Sequence, residues 1–189
     1  MSRMTEVSSL TGRLLVATPA LADPNFDRAV VLLLDHDDEG SLGVVLNRPT
    51  PVTVGDVLAS WADLAGEPGV VFQGGPVSLD AALGVAVIPG DEGPLGWRRV
   101  HGAIGVVDLE APPELLGPAL GSLRIFAGYA GWGPGQLETE LGDGAWYVVE
   151  SEPGDVSSPT PETLWRQVLR RQRGELAMVA TYPDDPSLN

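Results

Sequence analysis

The chain contains no cysteine, which excludes disulfides, thiolate nucleophiles, iron–sulfur clusters and cysteine-held zinc together. Lysine is also missing, since all eleven basic residues are arginine. A Walker A lysine, a Schiff-base lysine and a lysine general base are therefore impossible. Histidine occurs twice, at His36 and His101, without H-x-H or H-E-x-x-H spacing. That falls short of the convergent ligands a metal site needs, and no metal or cofactor is expected. No apolar run reaches the length of a membrane span, and no apolar segment of signal-peptide type follows the N-terminus, so a cytoplasmic protein is the expectation. Basic charge is scarce: the formal net charge is −15. Nucleic acid and anionic membranes, which require counterion-releasing basic surface, are disfavoured as partners.

What is present fits one domain. A chain of 189 residues with 43% hydrophobic content can bury a core without staples. Residues 1–11 and 183–189 read as loose tails around a single domain at 12–182. Apolar runs predict strands at Arg13–Thr18, Ala29–Leu34, Leu42–Leu46, Val70–Phe72, Ala81–Ile88, Trp97–His101, Ala103–Leu109, Leu123–Ala127 and Ala145–Val149. Asp35–Gly40 reads as a hairpin turn joining the second and third of these. Helical spacing of Val54, Val57, Leu58, Trp61 and Leu64 predicts a helix over Thr53–Ala65, with Thr53 and Asp56 as its capping box. Pro112 and Pro113 open a weak helix to Leu120. A last helix spans Glu162–Arg171, with Leu164, Trp165, Val168 and Leu169 inward, and Glu152–Pro161 before it reads as a loop. The fold class is α+β.

The stretch that organises the rest is Gly128-Tyr129-Ala130-Gly131-Trp132-Gly133-Pro134-Gly135-Gln136-Leu137-Glu138-Thr139-Glu140-Leu141. Glycine at this density suggests a tightly specified turn, followed by a helix starting near Pro134 and ending near Gly142. On that helix Gln136 and Glu140 share a face while Leu137 and Leu141 point inward. Trp132 and Trp146 are expected in the core or as pocket walls.

Several segments resemble the AlgH/YqgE family of bacterial proteins. The residues that carry the resemblance are Gly12-Arg13-Leu14-Leu15-Val16-Ala17, Asp23 and Phe26 before Arg28-Ala29-Val30-Val31, and His36 with Gly40. They continue with Leu42-Gly43-Val44-Val45-Leu46-Asn47-Arg48-Pro49, Gly74-Gly75-Pro76-Val77, Gly128-Tyr129-Ala130-Gly131-Trp132, Gln136-Leu137-Glu138 and Trp146. The resemblance implies a bent mixed sheet closing into a small barrel with helices around it. Some family members carry a transcriptional-regulator label, but no catalytic mechanism comes with the family.

Candidate chemistry converges on a glycine-rich cleft drawn from His36, Asn47, Gly74, Gly75, Pro76, Tyr129, Trp132, Gln136 and Glu138. The Gly74-Gly75-Pro76 turn can present backbone N–H groups to an anion, although conformational need explains glycine there as well. His36 beside Asp35, Asp37 and Asp38 allows a weak hard-cation or His–carboxylate site, against which stands a solvated hairpin turn. Glu138 and Glu140 are the acid–base candidates, with Glu140 expected to complement a helix dipole. Glu138 is expected to face the cleft and to bond the Tyr129–Trp132 turn. Arg166, Arg170, Arg171 and Arg173 form the one dense basic patch, read mainly as a solvated helix end.

Two functions follow. One is a non-catalytic binding or regulatory protein that takes a small molecule or protein partner, as a monomer or small homo-oligomer. The other is a hydrolase-like enzyme using Glu138 or Glu140 with His36 or His101. A DNA-associated regulator is a third reading, carried by the family label alone.

Overall fold

The computed structural model describes residues 9–21 and 23–183. Most of the tails expected at 1–11 and 183–189 therefore lies outside the described residues. Among the described residues ten strands form one bent, mixed sheet that curls over as a half-barrel with helices against it. They are β1 (Leu14–Ala17), β2 (Val30–Asp37), β3 (Gly40–Val45), β4 (Pro49–Thr53), β5 (Val70–Gln73), β6 (Val77–Val87), β7 (Trp97–His101), β8 (Ile104–Val107), β9 (Ser122–Trp132) and β10 (Trp146–Val149). The order is β10-β1-β2-β3-β9-β6-β8-β7, with β4 on β5 and β5 on β9. Only the β5–β9 pairing is parallel among the described strands. The α+β class and the bent sheet agree with the resemblance.

Continuous apolar runs mark strands buried on both faces. Along β2, Val30, Leu32 and Leu34 enter one core cluster with Leu14, Val16 and Phe126. The alternate positions, Val31 and Leu33, enter a second with Leu15, Val45, Trp132 and Trp146. Strand periodicity thus feeds two cores from one segment. A third cluster gathers Trp61, Ile88, Leu116 and Ile125.

The glycine-rich stretch is strand as far as Trp132, not a turn. β9 pairs with β5 and β6 as far as Ala127 and again with Val77 of β6 at Tyr129, and its last residues pair with β3. Gly128, at φ 75°, sits between the β5 and β3 pairings and in the break of the β6 register. Its positive φ bends the strand where it passes from one half of the sheet to the other. The turn itself is Gly133–Gly135, after which α2 runs Gln136–Gly142.

Other elements depart from expectation. The helix expected over Thr53–Ala65 is a single turn, α1 (Val54–Val57), and a 3-10 turn at Ala59–Trp61. Leu58 leaves helical geometry between them, and Thr53 makes no side-chain cap. Trp61 is buried with its indole donating to the Leu109 carbonyl, while Val57 is left 55% exposed. Tertiary anchoring of one tryptophan overrides the helical period. Pro113–Leu115 and Gly117–Ala119 are likewise 3-10 turns, because Pro118 lacks the N–H that a continuing helix needs. Within the expected loop, α3 (Pro153–Val156) is held by a capping box of Glu152 and Asp155. The final helix, α4 (Leu164–Arg170), buries Leu164, Trp165, Val168 and Leu169 as its spacing predicts, and α5 (Glu175–Val179) follows.

Candidate functional site

On α2, Leu137 is driven into the second cluster and leaves the polar positions to the flanks. Gln136 and Glu140 share a face, and the Gln136 amide donates to Glu140 Oε2 at 3.0 Å. The Gln136 carbonyl oxygen accepts from Gly133 N–H, which ties the helix to the turn before it. Glu140 Oε1 accepts both indole N–H groups, from Trp132 at 3.0 Å and Trp146 at 2.9 Å. The two indoles meet edge to face at 6.1 Å, and Phe26 lies against both. Glu140 is therefore not a dipole complement in the first turn. It is a carboxylate that satisfies two tryptophans otherwise packed in the core, because a buried indole N–H needs an acceptor.

Glu138 points to the other flank and meets His36. The hairpin turn is shorter than expected, so His36 lies within β2 and its side chain is 2% exposed. The solvated-turn reading of His36 is thereby corrected. A register shift between Leu33 and Asp35 explains its direction. A one-residue slip exchanges the faces of a strand, and His36 is carried toward α2. Nδ1 accepts the Leu10 backbone N–H at 2.8 Å, so the proton resides on Nε2 and is donated to Glu138 Oε2 at 3.1 Å. Ser9 adds a bond from its hydroxyl to the His36 carbonyl. The Glu138 side chain is 42% exposed, and the hydrogen bond from His36 holds its carboxyl below the usual range. A backbone hydrogen bond acts in the same direction, opposed by slight desolvation. The expected bond from Glu138 to the Tyr129–Trp132 segment is replaced by this one to His36.

Asp35 and Asp37 point outward along β2 and line a shallow groove with Glu39 and Trp132. The described residues contain no group of three His, Cys, Asp or Glu arranged to hold a metal. His101 ends β7 on the exposed side, and no bond joins it to Glu138 or Glu140 among the described residues.

The remaining candidates gather elsewhere. Gly74 and Gly75 sit where the backbone after β5 crosses the middle of β9. A Cβ on Gly74 would lie 2.4 Å from the Gly128 carbonyl oxygen, and one on Gly75 would lie 2.2 Å from the Tyr129 carbonyl. Gly74 N–H donates to the Ala127 carbonyl and Pro76 has none, so the turn does not offer a run of free N–H groups. Close approach explains the glycines. Asn47 is buried and bridges chain segments, accepting from Val30 N–H and donating to the Arg28 carbonyl. Tyr129 is half-buried against the first cluster.

Beside this crossing opens a cavity of about 270 Å³ lined by Pro24, Asn25, Val45, Arg48, Gln73, Gly75 and Pro76. A second cavity, about 280 Å³, shares Arg48 and adds Arg28, Asn47, Glu162, Trp165 and Arg166. Burial pushes the Arg48 guanidinium down, and nearby Asp27 pulls it back up. Its Nη2 donates to the Asp27 carbonyl. The structure thus divides the candidates into His36, Trp132, Gln136 and Glu138 around α2, and Asn47, Gly74, Gly75 and Pro76 around Arg48. Arg48, Asn25 and Gln73 were not among the sequence candidates, although Arg48 stands next to Asn47 in a quoted segment.

Of the basic patch, Arg171 is bidentate to Asp155 at 2.6 Å and pairs with Glu152 at 2.8 Å. Arg166 lies over the Trp165 ring and donates to the Ala180 carbonyl. Among the described residues the deeply buried arginine is Arg124, 2% exposed over the Phe72 ring, whose Nη2 donates to the Glu67 and Ser158 carbonyls. Burial lowers its pKa to about 10. A single charge inside the Leu123–Ala127 run is the sequence signal that marks it.

A family model described as AlgH-like matches residues 14–177. The UPF0301 protein of Streptomyces coelicolor is 86% identical over the full length of both chains. That of Thermobifida fusca is 52% identical over 96% of each. A crystal structure of a Corynebacterium diphtheriae protein superposes with a TM-score of 0.87 at 32% identity, covering 91% of this chain and 92% of that one. The solution structure of the AlgH protein from Pseudomonas aeruginosa gives 0.69 at 28% identity, covering 93% and 95%.

Proposed function

We propose that this chain, which belongs to the AlgH-like family, is a non-catalytic binding protein that takes its ligand at the Arg48 cleft beside Gly75 and Pro76. The observation that carries this reading is the division of polar groups between the two sites. A hydrolase would draw on His36, Glu138 and Glu140. His36 has both ring nitrogens engaged, and Glu140 accepts three hydrogen bonds. Glu138 is held below the ordinary carboxylate range, which makes it a weak base at neutral pH. In contrast, Arg48, Gln73 and Asn25 line a cavity together. A guanidinium with two amides matches a small carboxylate or phosphate ester. The glycine crossing behind them keeps the wall rigid, as a preformed site requires.

The same reading assigns a regulatory role in the cytoplasm, exercised through a bound small molecule or a protein carrying such a group. It is tested by thermal shift against a panel of small carboxylates and phosphate esters, because a ligand that binds the native state raises apparent stability by mass action. A positive ligand should lose its effect in Arg48→Gln and keep it in Glu138→Gln. Turnover of a generic ester that disappears in Glu138→Gln, with the fold intact, would overturn the proposal in favour of catalysis.

A further inference from the structure

A cavity of about 340 Å³ lies on β4, β5, β6, β9 and α1 and shares no lining residue with the Arg48 cleft. Its floor is Val71, Ile125 and Ala127, and its rim carries Val52, Val57 and Leu79. Two local departures from regular structure create it. The β6–β9 register breaks between Val77 and Ala82, with Ser78 at φ 50°, so Leu79 and Asp80 swing away from the sheet. Leu58 ends α1 after one turn and leaves Val57 at the opening. Among the described residues, Val52, Val57 and Leu79 are three of the few large apolar side chains that stay exposed, and they surround the same opening. Clustered exposed apolar surface marks a binding surface more often than scattered residues do.

The chemistry of the lining limits the occupant. Peptide addition along β4 is disfavoured, because Pro49 and Pro51 withhold two of its five N–H groups. The Thr50 hydroxyl is already engaged, donating to Val71 O and accepting from Val52 N–H. The charged group in the lining is the Asp80 carboxylate, in a chain whose net charge is −15. A volume at the lower end of the small-molecule range, apolar walls and one anionic group at the rim describe a site for a small amphipathic cation. We propose that this cavity binds an ammonium group carried on an apolar body about the size of an octyl chain, independently of the Arg48 cleft.

Octylammonium, octan-1-ol and octanoate are the probes, followed by calorimetry or by chemical-shift changes at Ala82 and Ala127. Octylammonium is expected to bind most tightly and to weaken about fourfold for each methylene removed. Asp80→Asn should cost it roughly two- to fivefold, bringing it to the level of octan-1-ol. Ala82→Phe fills the cavity from an exposed position and should abolish binding. Leu79→Ser removes a wall and should weaken binding without filling the space. Octanoate binding as tightly as octylammonium would overturn the proposal, as would octylammonium binding unaffected by both Ala82→Phe and Leu79→Ser. A wild-type dimer dissociated by Ala82→Phe would also overturn it and assign this surface to a second copy of the chain.

Discussion

Glu140, Trp132 and Trp146 form a unit in which one carboxylate oxygen accepts two indole N–H groups. Hydrogen bonds to a charged acceptor contribute more than neutral ones, so Glu140→Gln should cost about 1–3 kcal/mol. Trp132→Ala removes a buried ring that contacts Phe26 and Trp146, and should cost about 3–5 kcal/mol. Urea denaturation midpoints measure both, and an unchanged midpoint for Glu140→Gln would show that the indoles find another acceptor. Glu138 predicts a pH dependence. Its folded-state pKa is depressed, chiefly by the His36 hydrogen bond, so its stabilising contribution is complete above the unfolded value, near 4.5. The contribution disappears as pH falls through the lower folded value, where the native carboxylate also becomes protonated. The stability difference between wild type and Glu138→Gln should therefore be constant at neutral pH and shrink below the ordinary carboxylate range. A difference that grows on acidification would reverse the assignment.

At the scale of elements, the crossing of the Gly74–Gly75 backbone over the middle of β9 joins the two halves of the sheet. β5 pairs with β9 before Gly128 and β3 pairs after it, while β6 pairs on both sides, through Ala127 and through Tyr129. The Cβ of Gly74→Ala would stand 2.4 Å from a backbone oxygen, with no flexible side chain to move aside. Overpacking of that kind costs about 1–3 kcal/mol. Gly69→Ala, where a Cβ meets nothing within 4 Å, is the matched control and should leave the midpoint within about 0.5 kcal/mol of wild type. Equal effects at both positions would mean that the crossing relaxes. The His36–Leu10 bond is a second link between elements, since it ties the segment before β1 to the end of β2.

For the whole molecule, charge governs what approaches it. With a formal net charge of −15, the chain should show no appreciable affinity for random duplex DNA at physiological salt. Of the eleven arginines, Arg171 is engaged with the acidic side chains of Asp155 and Glu152, and Arg13 with that of Glu150. Fluorescence anisotropy with a labelled duplex would check this. Micromolar, salt-sensitive binding lost in a combined Arg166, Arg170 and Arg171 to Ala variant would contradict it.

What could be read before folding was what local physics dictates. The apolar runs of β1, β2, β8 and β10 and the inward face of α4 are set by short-range periodicity, which a burial pattern writes directly into the residue order. The missing cysteine and lysine excluded whole chemistries for the same reason: composition does not depend on contacts. Tertiary structure decided the rest. Whether Gly128–Trp132 is turn or strand depends on β3, β5 and β6 arriving beside it from distant parts of the chain. The extent of α1 depended on Trp61 reaching Leu109, 48 positions away. The partners of Glu138 and Glu140 were settled by the β2 register shift and by β10 docking, so two carboxylates two residues apart received different tasks. The cleft residues Arg48, Gln73 and Asn25 belong to three separate segments, and no spacing rule joins residues that only long-range pairing brings together.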